Sequence, residues 1–260
     1  MIEDMKSSWR LGAAACVGGF ALMAYELVAA RLLAPSVGSS TYVWTGVIGV
    51  IIIALSAGCW LGGRVADYRH APQDVGLLLI IAAVLVVATM LSANNTLRWL
   101  TTVLDEPRIQ AVIAALALFA PASFVLGAVS PYLAKLNVSS LDTAGRSVAN
   151  LSALDAMGGI AGTFVTGFVL LGMIGLNETL ALITGILLAT SWLFIPRWQW
   201  QLRALMVGAV IVAALSGLYT PKYGDVSIET PSAHYSIVNY TNNGRQIRGL
   251  VTGPTGVQSG

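Results

Sequence analysis

Long uninterrupted apolar blocks dominate this chain, separated by short polar breaks and followed by a polar strip at the C-terminal end. A bilayer core takes roughly 20 apolar residues per helix, and seven blocks reach or approach that length. They predict spans over residues 11–33, 42–61, 75–91, 111–129, 149–173, 180–195 and 203–219. Gly62-Gly63-Arg64 ends the second, Pro121 predicts a kink in the fourth, and Pro196 and Pro221 close the sixth and seventh. Lys6 and Arg10 precede the first block, which runs on to Leu33. That is too long for the apolar region of a cleaved signal, so the block reads as the first anchored span.

Beyond residue 221 the pattern changes. His234 to Thr241 alternates in part, Asn242-Asn243-Gly244 makes a turn, and alternation resumes from Arg245 to Thr252. Asn-Gly between alternating runs is the strongest short hairpin signal. The expected fold is therefore an all-α multi-pass membrane bundle of about seven transmembrane helices over residues 1–221, followed by a short C-terminal β segment over 222–260. A stretch of about 40 residues rarely buries a core alone. The tail is expected to pack on something else or to open a longer, incomplete domain.

Composition sharpens this reading. Hydrophobic residues make up 56% of the 260 positions and charged residues only 10%, whereas a soluble domain carries about 25% charged. Mean hydropathy is +0.77. In lipid each backbone polar group must be satisfied within its own segment, which selects helices. A net charge of +2 without a basic cluster excludes nucleic acid as the partner; the bilayer itself is the expected one. Cys16 and Cys59 lie inside apolar blocks without a CxxC partner or a nearby His, and read as small buried hydrophobes. His70 and His234 are isolated, so no metal site is expected.

Loop charges predict orientation. Lys6 and Arg10 flank the first span, Arg64 and Arg69 the second loop, Lys135 and Arg146 the fourth, and Arg197 and Arg203 the sixth, with Trp198 and Trp200 as interface anchors. The first and fifth loops carry no Lys or Arg, and only the third, with Arg98 and Arg108, runs against the bias. The positive-inside rule places the N-terminus in the cytoplasm of a cell inner (plasma) membrane protein. Seven spans then put the tail on the extracytoplasmic side.

Small residues recur at every fourth position in the fifth span, as Gly158, Gly162, Thr166 and as Asp155, Gly159, Thr163, Gly167, and in the second as Ala54, Gly58, Gly62. Such rows let helices approach closely in lipid. A substrate path between these helices is the other reading. Glu26 and Asp155 are intramembrane carboxylates, each costing roughly 3 kcal/mol on insertion scales. They read either as hydrogen-bonded groups that fix helix register or as a proton or cation site built from the two together. Arg31 lies five residues beyond Glu26, about 140° around the helix, and does not share its face. In the second loop, Asp67 is placed to pair with Arg64 or Arg69. The stretch Gly62 to His70 resembles the G-x-x-x-D-R loop of major-facilitator transporters. No Ser-His-Asp arrangement and no phosphate-binding Gly-rich loop stand out, so no catalytic residue is assigned.

Four stretches together resemble the membrane-embedded members of the spermidine synthase (polyamine aminopropyltransferase) family. They are Ala24-Tyr25-Glu26-Leu27 through Arg31-Leu32-Leu33 to Gly38-Ser39-Ser40; Ala57-Gly58 to Asp67; Gly145-Arg146 through Asn150, Gly158-Gly159, Gly162, Gly167-Phe168 and Leu170-Leu171 to Gly175; and Glu229-Thr230-Pro231-Ser232-Ala233-His234-Tyr235-Ser236-Ile237 onward to Gln258. The resemblance covers most of the chain. It implies that the tail is the small β-domain in front of a Rossmann-like fold, which binds decarboxylated S-adenosylmethionine and transfers its aminopropyl group to a polyamine. Ser232 to Ile237 is similar to the family's S-x-Y-Q-x-I, with Ser236 where Gln usually stands. Leu250 to Gln258 is similar to L-D-G-x-x-Q, but longer and without the Asp. Only Gln258 carries over, as a nucleoside-binding residue. The family's glycine-rich loop, ribose-gripping acid and catalytic Asp belong downstream of Gln258, in a following or separate domain. Residues 1–260 alone are expected to be inactive in group transfer, which needs an oriented donor and a base. The alternatives are a small-solute transporter of major-facilitator-like type and a non-catalytic membrane scaffold.

Overall fold

A computed structural model describes residues 2–38, 40–69, 71–138 and 141–196, part of 201–212, and residues 226–229, 234–242, 245–251 and 257–258. The helices are α1 (Ile2–Val37), α2 (Thr41–Tyr68), α3 (Pro72–Val103), α4 (Pro107–Leu118), α5 (Ala120–Asn137), α6 (Leu141–Val165), α7 (Leu171–Met173) and α8 (Leu176–Ser191). A π-helical turn, Thr166–Leu170, joins α6 to α7. The strands are β1 (Val226–Glu229), β2 (His234–Asn242), β3 (Arg245–Val251) and β4 (Val257–Gln258).

Local chemistry sets the helix ends. Ser40 caps α2, its hydroxyl accepting from the Val43 N–H at 3.4 Å. Pro72 and Pro107 open α3 and α4, where the missing N–H has no intrahelical partner to lose. Pro121 acts differently. It cannot donate to the carbonyl four residues back, and the helix breaks just before it, at Phe119, so that α4 and α5 meet at a bend of 53°.

Four segments are long and apolar enough to cross a membrane: Trp9–Val37, Thr41–Tyr68, Pro72–Val103 and Asp142–Met173. The bent pair α4–α5 makes a fifth if it is one span, and α8 is a shorter apolar helix. These helices make the protein a multi-helix membrane protein. The helices outrun the apolar blocks: α3 continues through Ser92-Ala93-Asn94-Asn95-Thr96 as regular helix, although its apolar run ends at Leu91. The last span expected from sequence, over 203–219, falls largely outside the described residues.

Two helix pairs pack through glycine. A Cβ at Gly158 would lie 1.9 Å from the Cys16 carbonyl oxygen, and one at Gly162 would lie 2.5 Å from that of Phe20. Both offsets match, so α1 and α6 run parallel. A Cβ at Gly58 would meet the Phe124 oxygen at 1.9 Å, and one at Gly62 would meet the Ala128 Cα at 2.6 Å, so α2 and α5 are likewise parallel. Side chains larger than hydrogen are excluded at all four glycines, which is what close backbone packing in lipid requires.

Contacts also identify the two ends of the bundle. At one end Lys135 Nζ lies 2.7 Å from Asp67 Oδ1, and Arg69 lies 3.4 Å from Asp74. The Tyr132 hydroxyl sits between the Arg69 carbonyl and the Asp74 carboxylate, 2.6 Å from the latter. At the other end the Arg108 guanidinium lies 4.2 Å from the Tyr42 ring centroid and 3.5 Å from Glu106. The second and fourth loops therefore share one face, and the first and third share the other. Along α2, exposed Tyr42 and Trp44 near the start and exposed Trp60 near the end are about 24–27 Å apart at 1.5 Å per residue. That spacing suits aromatic belts at the two edges of a roughly 30 Å hydrocarbon core.

The strands form one antiparallel sheet in the order β1-β2-β3-β4. Asn242 pairs with Arg245, and the ladder runs back to Ser236 opposite Val251.

Candidate functional site

Tyr25, in the middle of α1, is fully buried. Its hydroxyl lies 2.7 Å from Thr89 Oγ1 and 3.0 Å from the Leu118 carbonyl, which Thr89 Oγ1 also reaches at 2.6 Å. Leu118 is the last residue of α4, so two hydroxyls converge on a carbonyl at the helix break. The Tyr25 ring meets Phe119 edge-on, with centroids 5.4 Å apart. In a membrane interior, where water cannot satisfy a loosened backbone, neighbouring side chains must do so. Here α1 and α3 do it together and thereby hold the bend. Local sequence offers no signal for this triad, because its members are 64 and 93 residues apart.

Glu26 follows Tyr25 on α1 and is half-buried. Asp155 is half-buried on α6, with its backbone oxygen against Gly19 and its Oδ1 4.0 Å from where a Cβ on Gly18 would stand. Its carboxylate is also within electrostatic range of Cys59 on α2, whose thiol donates to the Gly127 carbonyl at 3.1 Å. Asp155 thus points to the place where α1, α2 and α5 approach one another. Glu26 stands eight residues further along α1 than Gly18, about 12 Å of helix rise. The structure does not bring the two carboxylates together: they lie along the same side of α1 at different depths.

The glycines predicted to pack helices take graded positions. Gly58, Gly62, Gly158 and Gly162 stand against backbone, while a Cβ at Gly159 would meet Met23 Cγ at 3.2 Å and one at Gly167 would meet Leu27 Cδ1 at 3.8 Å. In the last turns of α2, which run through the stretch expected as the second loop, Asp67 pairs with Lys135 on α5, and neither Arg64 nor Arg69 is its partner. Arg69 takes Asp74, and Arg64 lies 3.8 Å over the Trp60 ring. The partner was hidden from local reading because it lies 68 residues away. Gln258 falls in β4, in register with Leu250 of β3. Among the described residues no group of three or more His, Cys, Asp or Glu is placed to hold a metal.

Two buried hydroxyls stand apart: Ser123, which sequence reasoning missed, and Thr166, which it read only as a small packing residue. Ser123 and Thr166 are fully buried, yet neither hydroxyl has a hydrogen-bond partner. Thr166 opens the π turn, in which the Leu171 N–H reaches back five residues to the Thr166 carbonyl.

Compared with protein-family models, with curated proteins and with solved structures, the chain matches none.

Proposed function

We propose that residues 1–260 are the membrane part and first β segment of a spermidine synthase-like protein. In this reading the helical bundle anchors an aminopropyl-transferring unit, whose reactive groups lie beyond Gln258. The observation that carries it is the antiparallel meander β1–β4 following the apolar helices, the order that the family resemblance implies. Gln258, in β4, is then a residue that binds the nucleoside of decarboxylated S-adenosylmethionine. The bent pair α4–α5 counts as one span, α8 as the sixth and residues 203–219 as the seventh. The basic second and fourth loops, which share one end of the bundle, lie in the cytoplasm with the N-terminus, and the tail lies outside.

The test is direct. The coding sequence after Gly260 is expected to encode a glycine-rich strand–loop–helix. The extended polypeptide is expected to transfer an aminopropyl group to a polyamine, whereas residues 1–260 alone do not. A stop codon at that point, with no neighbouring gene for such a domain, contradicts the proposal.

A transporter is the second reading, favoured by the half-buried Glu26 and Asp155 along one side of α1. It predicts cation-coupled solute uptake in vesicles that falls in Glu26→Gln. Unchanged flux in that variant removes the carboxylate from any transport mechanism.

A further inference from the structure

Gly19 and Gly159 are in contact across the α1–α6 seam, where a Cβ on Gly19 would lie 3.0 Å from the Gly159 nitrogen. Seven residues further along these two parallel helices stand Glu26 and Thr166. Seven residues are nearly two full turns, so each falls within about 20° of its glycine's face. The helices are still in contact at that level, because Leu27 Cδ1 lies 3.8 Å from where a Gly167 Cβ would be. By helical periodicity Glu26 and Thr166 stand at the same level of the seam, each one residue before this contact.

Three features coincide at this point. Glu26 is a half-buried carboxylate in the middle of a span, and among the described residues no ion pair neutralises it. The Thr166 hydroxyl is fully buried and makes no hydrogen bond. Thr166 also begins the π turn, where the wider i→i−5 ring displaces carbonyls from the regular ladder. A half-buried carboxylate without an ion pair, an idle buried hydroxyl and a distorted stretch of backbone are each costly in lipid. Each is a hard oxygen donor, and together they carry one negative charge.

We propose that Glu26 and Thr166, with carbonyl oxygens of the Thr166–Leu170 turn, bind a monovalent cation at the α1–α6 seam. Oxygen-only donors suit an alkali ion, and a single charge neutralises the single carboxylate. A divalent ion would want a second acid, and Asp155 is about 12 Å away along the helix. The site is independent of the reading of the tail. Its occupancy can be measured without aminopropyl chemistry.

The experiment is thermal unfolding of the purified, detergent-solubilised chain at constant ionic strength, with sodium chloride progressively replacing N-methyl-D-glucamine chloride. A ligand that binds only the folded state raises the unfolding temperature saturably. Wild type and Asp155→Asn are expected to show that saturable rise, and Glu26→Gln is expected to lose it. Thr166→Val should raise the half-saturating concentration about tenfold, the equivalent of one lost neutral ligand, while Thr166→Ser keeps it near wild type. If Glu26→Gln does not fold, the Val and Ser variants at position 166 decide the matter. No saturable response in wild type, or equal half-saturation in Thr166→Val and Thr166→Ser, or an unchanged response in Glu26→Gln, overturns the proposal.

Discussion

Tyr25 shows how one hydroxyl can hold a membrane helix in a bent shape. It and Thr89 share two protons among the Leu118 and Leu85 carbonyls and each other. Tyr25→Phe leaves Thr89 to satisfy that carbonyl alone, so it should destabilise by only about 1 kcal/mol. Adding Thr89→Val strips the carbonyl of both hydroxyls, and the pair of changes should cost more than the sum of the singles. Unfolding in detergent checks both statements; strictly additive losses would mean that the two hydroxyls act separately. The glycines give a sharper contrast. Gly158→Leu drives carbon into the Cys16 backbone, whereas a side chain at Gly145 meets nothing within 4 Å. The first should abolish the folded bundle, and Gly145→Ala should be neutral or stabilise by up to about 1 kcal/mol. Fluorescence-detected size-exclusion profiles of the two variants separate these outcomes.

At the scale of elements, the apolar blocks made four of the expected spans legible, and a fifth if the bent pair is one span, because a run of that length needs only hydropathy to be recognised. Their ends were less legible. α3 continues through Asn94-Asn95 to Val103, since a helix continues past lipid wherever nothing stops it, and no Gly or Pro stands there. The break at Pro121 was legible from the missing N–H alone. What bends and holds it was not, because Tyr25 and Thr89 come from other helices. The π turn at Thr166 had no sequence signal that we recognised. The same limit applies to Asp67: its loop motif offered two arginines nearby, and folding supplied Lys135 instead. That pair is exposed at both side chains, 65% for Asp67 and 48% for Lys135. A double-mutant cycle with Asp67→Asn and Lys135→Met should give a coupling of about 0–1 kcal/mol that vanishes at high salt. A coupling that survives salt would show a desolvated pair.

The molecule as a whole places its long apolar helices in lipid, with the ends marked by Asp67–Lys135 and by Tyr42–Arg108 on opposite faces. The candidate site was legible only in part: Glu26 and Asp155 stand out in any apolar run, but their 12 Å offset (about eight residues of rise) depends on how α1 meets α6. A reporter fused after Asp225 addresses the tail, and cytoplasmic activity there would reverse the proposed orientation of the last span. The most direct measurement is maleimide labelling of single cysteines in sealed vesicles, in a Cys16→Ala, Cys59→Ala background. Cysteines at Tyr68 and Leu136 should label from one side, those at Tyr42 and Glu106 only from the other, and those at Ile53 and Phe164 from neither. Aqueous labelling at Ile53 or Phe164, or labelling of all four end positions from the same side, would contradict the account.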